Sequence, residues 1–248
     1  MFVAASSGCF PQLSLQETLD KLADLEYTTI EFVVAEDGLI RPSELTDQFE
    51  TIVQVCRSSR RIKPVVLHFT LEPDDPNYMV YFAECCRLAK AIKVVVVTAR
   101  SCVPGTPFNE EVERLQQLVH IATLEGVVVG LITEAGRMSE DPDTIGSLCK
   151  TVKGLGVSLD PSHYIFGHAK PRDYDGIIHY VCHVRLRDTT KEQFQVLIGQ
   201  GTLEYGRLVI QLNKNRYNRT LCVDLAPMPN IDSIAELRKM RLLLESLL

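Results

Sequence analysis

Eight short apolar runs, recurring about every 31 residues and separated by longer amphipathic segments, constrain this 248-residue chain more than any other feature. They fall at residues 2–5, 29–33, 65–69, 94–98, 127–133, 157–159, 181–186 and 221–225. Runs such as Val94-Val95-Val96-Val97 are apolar without alternation, the pattern of parallel strands covered on both faces. The segments between them carry helix signals. Ser14-Leu15-Gln16-Glu17 is a capping box ahead of Leu19, Leu22 and Leu25. Asp75-Pro76 and Asp141-Pro142 each set an N-cap acceptor before a proline at the first helical position. Val112, Leu115, Leu118, Val119 and Ala122 form one stripe that ends near Gly126, and Ile234, Leu237, Met240 and Leu244 form another in a helix from about Ser233.

Eight β/α units in a chain of this length predict a single (β/α)8 TIM barrel, one domain over residues 1–248. A doubly wound open sheet has the same periodicity and stays the alternative, because closure leaves no mark on periodicity. No run approaches about 18 apolar residues, which excludes a membrane-spanning helix. The start of the chain, Met1-Phe2-Val3-Ala4-Ala5, reads as the first strand rather than a signal peptide. Against 26 Lys and Arg stand 32 Asp and Glu, a net charge of −6, the opposite of a nucleic-acid-coating surface. Eight cysteines without a CxxC pair are expected to be reduced and mostly buried, which points to a cytoplasmic protein.

In such a barrel the active site lies at the C-terminal ends of the strands. His68 ends the third run, Thr98 and Arg100 the fourth, Glu134 the fifth, and Asp160 the sixth, with His163 just beyond. His183, Arg185 and Arg187 occupy alternate positions of the seventh and share one side, and Asp224 lies in the eighth. A hydrophobic core does not tolerate such a collection, so the ring of charges reads as a site. His120 and His179 read as surface residues, and His168 belongs to a loop.

At these positions the chain resembles xylose-isomerase-like TIM barrels, a superfamily of sugar isomerases, ketose 3-epimerases, 3-dehydroshikimate dehydratases and barrel-type apurinic endonucleases. The resemblance rests on Leu131-Ile132-Thr133-Glu134, Val157-Ser158-Leu159-Asp160-Pro161-Ser162-His163 and Gly199-Gln200-Gly201-Thr202-Leu203-Glu204. It implies a divalent cation, Mn²⁺ or Mg²⁺, held by Glu134, Asp160 and Asp224 with a histidine from the seventh strand. The residue at that histidine's place is Arg185, in Arg185-Leu186-Arg187-Asp188. Arginine stays protonated and cannot ligate a metal. Two like charges about 4 Å apart cost about 4 kcal/mol at an effective dielectric near 20, so the three carboxylates need a metal or Arg185 among them. His183 would lie about 6–7 Å deeper along the strand.

The resemblance implies an isomerase or epimerase of sugars or sugar phosphates, with Glu134 and Asp224 as the acid/base pair. His68, His163 and His183 then hold substrate. Arg100, Arg185 and Arg187 suit an anionic sugar derivative through bidentate hydrogen bonds. Two other readings stay open: a dehydratase-type lyase acting on a carboxylated substrate, and a ligand-binding barrel without catalysis. A nuclease is disfavoured, because a multi-metal cluster needs more than the six histidines present. The resemblance also allows a homo-oligomer.

Overall fold

The computed structural model describes residues 1–248. All eight predicted runs form strands: β1 (Phe2–Ser6), β2 (Thr29–Val34), β3 (Lys63–Phe69), β4 (Val96–Ala99), β5 (Val128–Ile132), β6 (Leu155–Leu159), β7 (Val181–Leu186) and β8 (Thr220–Val223). Every neighbouring pair is parallel, and β8 returns to β1 with Phe2 opposite Thr220 and Ala5 opposite Val223. The sheet is therefore a closed barrel in sequential order, and the open-sheet alternative falls.

Outside it lie α1 (Leu15–Asp24), α2 (Leu45–Ser58), α3 (Tyr78–Ala91), α4 (Phe108–Leu124), α5 (Pro142–Thr151), α6 (Ser162–Ile165), α7 (Tyr205–Lys214) and α8 (Ser233–Glu245). The capping box forms as predicted: Glu17 Oε2 accepts from the Ser14 N–H at 2.8 Å, and Ser14 Oγ accepts from the Glu17 N–H at 3.4 Å. Asp141 caps α5, with Pro142 as its first residue. The other proline signal is corrected. Asp75 Oδ1 accepts from the Asn77 N–H at 2.8 Å in a local turn, so Pro76 lies ahead of α3, which starts at Tyr78. The sixth helix is a single turn, and a 3-10 segment, Asp175–Tyr180, leads from it into β7.

Leu, Ile, Val and Phe side chains fill the layer between barrel and helices as one continuous core. At the bottom of the barrel the pairing of β6 with β7 skips Cys182. This bulge turns Cys182 against Val66 and Val96. Glycines face it: a Cβ on Gly156 would lie 2.7 Å from the Cys182 sulfur and force a shift, and one on Gly130 would lie tightly at 3.0 Å. Seven of the eight cysteines are buried, Cys102 is half-buried, and all eight are free thiols. No helix is long and apolar enough to cross a membrane.

Candidate active site

The strand ends bring most of the predicted residues to one mouth, in two layers. The deeper layer centres on Glu31 of β2, a residue that sequence reading passed over. Its side chain is 0% exposed, and Oε2 lies 2.6 Å from His183 Nε2 while Oε1 lies 3.2 Å from Arg185 Nε. Burial alone would raise the Glu31 carboxyl, but Arg185 and the His183 hydrogen bond outweigh it and hold it well below the usual carboxylate range. Arg185 also reaches Asp224 Oδ1 at 2.9 Å and donates from Nη1 to His68 Nε2 at 2.6 Å. Since a guanidinium only donates, His68 Nε2 is unprotonated and its Nδ1–H faces Thr98 Oγ1 at 2.9 Å.

This geometry corrects two expectations. His183 is fully buried below the mouth, with Nε2 engaged by Glu31, and both ring nitrogens of His68 are engaged. Neither has a free nitrogen at the mouth for substrate; they brace Glu31 and Arg185. The signal for Glu31 was a lone carboxylate inside the apolar run 29–33. A charge placed there requires a buried cation as partner.

The upper layer holds the remaining carboxylates. Arg187 Nη2 donates to Asp160 Oδ2 at 2.9 Å and also to Asp224 Oδ2. Asp160 Oδ1 accepts from the Ser162 N–H at 3.0 Å and from the Ser162 hydroxyl. Burial would raise the Asp160 carboxyl, yet Arg187 and these bonds hold it below its ordinary value. His163 Nδ1 accepts from the Ala135 N–H at 3.2 Å, which leaves Nε2, 3.9 Å from Asp160, toward the mouth. Phe194 covers this corner, 4.4 Å from the Arg187 guanidinium and 4.8 Å from the His163 ring.

Glu134 follows β5, the strand next to β6, and so lies beside the Asp160 and His163 corner of the mouth. Arg100 Nη2 donates to its Oε1 at 3.0 Å, while Oε2 is buried without a hydrogen-bond partner. Arg137 Nε lies 3.9 Å from that oxygen. Arg137 is a second residue that sequence reading missed, since it sits in a loop outside any strand run. Arg185 and Arg187 form no ion pair with Glu134; theirs go to Glu31, Asp160 and Asp224. Asp224 itself lies just past β8.

The glycine motif has a bracing role. The N–H groups of Gly199 and Gly201 donate to Asp188 Oδ2 at 2.7 and 3.0 Å. A Cβ at 201 would collide with that carboxylate, and Gly199 has φ +92°. The loop after β7, which carries Phe194, is thus fastened directly behind Arg187.

A divalent cation on Glu134, Asp160 and Asp224 does not fit this donor set. One Arg187 nitrogen already bridges Asp160 and Asp224, Arg185 holds the other oxygen of Asp224, and Arg100 holds Glu134. Guanidinium groups therefore supply the positive charge that the carboxylates require. Glu31, His183 and Cys222 also come within 4.8 Å of one another, but Glu31 and His183 are already bonded and burial raises the Cys222 thiol.

The pairing makes stability depend on pH. Burial first, then Arg185, with His183 and Arg100 adding to it, holds His68 well below the ordinary histidine range; Glu31 pulls the other way. His163 is lowered too, chiefly by burial. The unfolded chain takes up these protons below about pH 6.5 while the folded protein refuses them, so stability falls as pH drops below that value. Thermal melts from pH 7.5 to 5 should show a declining Tm, and His68→Gln should flatten the decline.

Residues 19–243 match the family model of the xylose isomerase-like TIM barrel. Among solved structures, a xylose isomerase-like TIM barrel protein from Mycobacterium smegmatis in complex with magnesium superposes with a TM-score of 0.80 at 14% identity, covering 99% of this chain and 97% of its own. A D-tagatose 3-epimerase-like protein gives 0.78 at 16%, covering 100% and 98%. The probable 3-DHS dehydratase AsbF from Bacillus anthracis gives 0.77 at 10%, covering 99% of both chains. No curated protein matches the chain by sequence.

Proposed function

The chain belongs to the xylose isomerase-like TIM barrel family, and on that premise we propose that it is a sugar or sugar-phosphate isomerase or epimerase with Glu134 as its base. The observation that carries this reading is the Glu134 carboxylate at the mouth just beyond β5, held between the guanidiniums of Arg100 and Arg137. The Glu134 carboxylate takes the proton from the substrate carbon next to the carbonyl, and the electron pair moves onto the carbonyl oxygen. The fixed guanidiniums of Arg185 and Arg187 stabilise the resulting enediolate in place of a metal. His163 Nε2 holds a substrate hydroxyl.

Asp224 keeps Arg185 and Arg187 in position. Both of its oxygens carry guanidinium nitrogens, so returning a proton to the substrate requires one of those contacts to open. The likeness of the fold to an epimerase-like protein supports the reaction class. A second reading, a ligand-binding barrel without catalysis, draws on the same ion pairs around Asp160 and Asp224.

Incubation with ketoses, ketose phosphates and sugar acids in D₂O, followed by NMR, separates the readings. Deuterium at the carbon next to the carbonyl, with formation of an isomer, is the expected outcome. Loss of water instead of isomer formation would make the protein a dehydratase-type lyase, and no exchange on any substrate would favour the non-catalytic barrel.

A further inference from the structure

The four mouth arginines differ in what they hold. Arg185 and Arg187 are bonded to buried or half-buried carboxylates inside the barrel. Arg100 and Arg137 converge instead on Glu72, a side chain 49% exposed on the loop between β3 and α3. Arg137 Nη2 donates to both Glu72 oxygens, at 2.7 and 2.6 Å, and Arg100 Nη1 donates to Oε1. The arginines are far more enclosed than the acid, at 25% and 12% exposure.

The two arginine-bearing loops are also stitched together. The Met138 N–H donates to the Cys102 carbonyl at 2.9 Å, and the buried Ser101 and Ser139 hydroxyls are 3.0 Å apart. Beneath them the Arg100 carbonyl accepts from Arg114 Nη2 at 2.8 Å, and Arg114 is itself paired with the fully buried Glu111. A rigid, half-enclosed pair of guanidiniums thus holds an exposed carboxylate from a neighbouring loop. That geometry, one nitrogen from each of two guanidiniums converging on the same carboxylate, equally suits a phosphate or carboxylate of a ligand.

We propose that Arg100 and Arg137 form an anion subsite of the mouth, filled by Glu72 in the ligand-free protein, and that the phosphate or carboxylate terminus of a sugar derivative binds there by displacing Glu72. That the ligand is a sugar derivative rests on the proposed function; the subsite itself rests on the arginines. The same two guanidiniums face Glu134, Arg100 Nη2 at 3.0 Å from Oε1 and Arg137 Nε at 3.9 Å from Oε2. A terminus bound in Glu72's place therefore sits one guanidinium away from the base, with the carbon chain leading back toward it. Burial would raise the Glu72 carboxyl, but Arg137 and Arg100 hold it below its ordinary value, so it stays an anionic competitor at neutral pH. This narrows the trio of Arg100, Arg185 and Arg187 expected from sequence to Arg100, joined by Arg137.

Calorimetric titration of the intact protein with inorganic phosphate, and separately with acetate, tests the subsite. Glu72→Gln should tighten binding of at least one anion about tenfold by removing the competing charge, and the anion that responds identifies the terminus. Adding Arg137→Gln to that variant should abolish the gain. Equal affinity in wild type and Glu72→Gln, or a gain that survives Arg137→Gln, would overturn the proposal. Its fate is separable from that of the proton-transfer reading. Anion binding that follows this pattern without deuterium exchange on any sugar derivative would leave the subsite standing and remove the reaction. Exchange in a protein whose anion binding ignores Glu72 and Arg137 would do the reverse.

Discussion

Replacing Glu134 with glutamine is expected to cut solvent-deuterium exchange and turnover by about 10²–10⁴-fold, the usual contribution of a positioned base, while leaving the melting curve close to that of wild type. Glutamine keeps the shape of the side chain and a carbonyl oxygen for Arg100 Nη2, which now bonds Glu134 Oε1 at 3.0 Å. What it removes is the negative charge and the capacity of the carboxylate to accept a proton. The fold is insensitive to this change because Glu134 lies beyond the end of β5 and outside the core. Retained exchange in the variant would remove Glu134 from the role of base. Loss of exchange together with a collapsed melting curve would instead make it a structural ion-pair partner.

The second large effect is expected at Glu31. Glu31→Gln should destabilise the protein by about 3–5 kcal/mol, because removing one partner of a buried ion pair leaves the other charge uncompensated. For a domain of this size that corresponds to a fall in Tm of roughly 6–20 °C. The loss should not add to that of Arg185→Met: the double variant removes both charges and should cost clearly less than the sum of the two singles. The pH dependence provides a second signature. The folded carboxyl is held well below the usual range, so its stabilisation is present above about pH 4.5 and lost as the pH falls through the folded value. Glu31→Gln should therefore flatten the acid limb of the stability curve. Additive losses, or an unchanged acid limb, would mean that Glu31 and Arg185 do not form a coupled pair.

Much of the architecture was legible because parallel strands covered on both faces must be apolar throughout. Each of the eight runs is a strand, and the Ser14 and Asp141 caps lie where their side-chain chemistry requires. Closure was not legible, since it depends on residue 2 pairing with residue 220, a contact with no local signature. The start of α3 was misplaced because Asp75 satisfies a turn N–H before the helix begins.

At the site, position along the strand was readable but pairing was not. His183, two residues below Arg185, lies deep as the strand rise implies, yet its partner is a carboxylate five strands earlier in the chain. Arg137 and Glu72 sit on loops, where sequence periodicity carries no direction, and only the folded mouth brings them to Arg100. Arg185 was readable as a competitor for a metal. The bridging of Asp160 and Asp224 by Arg187 emerges only from the geometry.

The claim that guanidinium groups take the place of a divalent cation is tested most directly by metal content. The purified protein, before and after incubation with Mn²⁺ or Mg²⁺ and removal of free ions, would be analysed by elemental mass spectrometry beside Asp160→Ala. The expected result is far less than one ion per chain in every sample, with no dependence on Asp160. About one tightly held ion per chain, lost in Asp160→Ala, would contradict it and require Arg185 and Arg187 to swing away from the carboxylates they hold here.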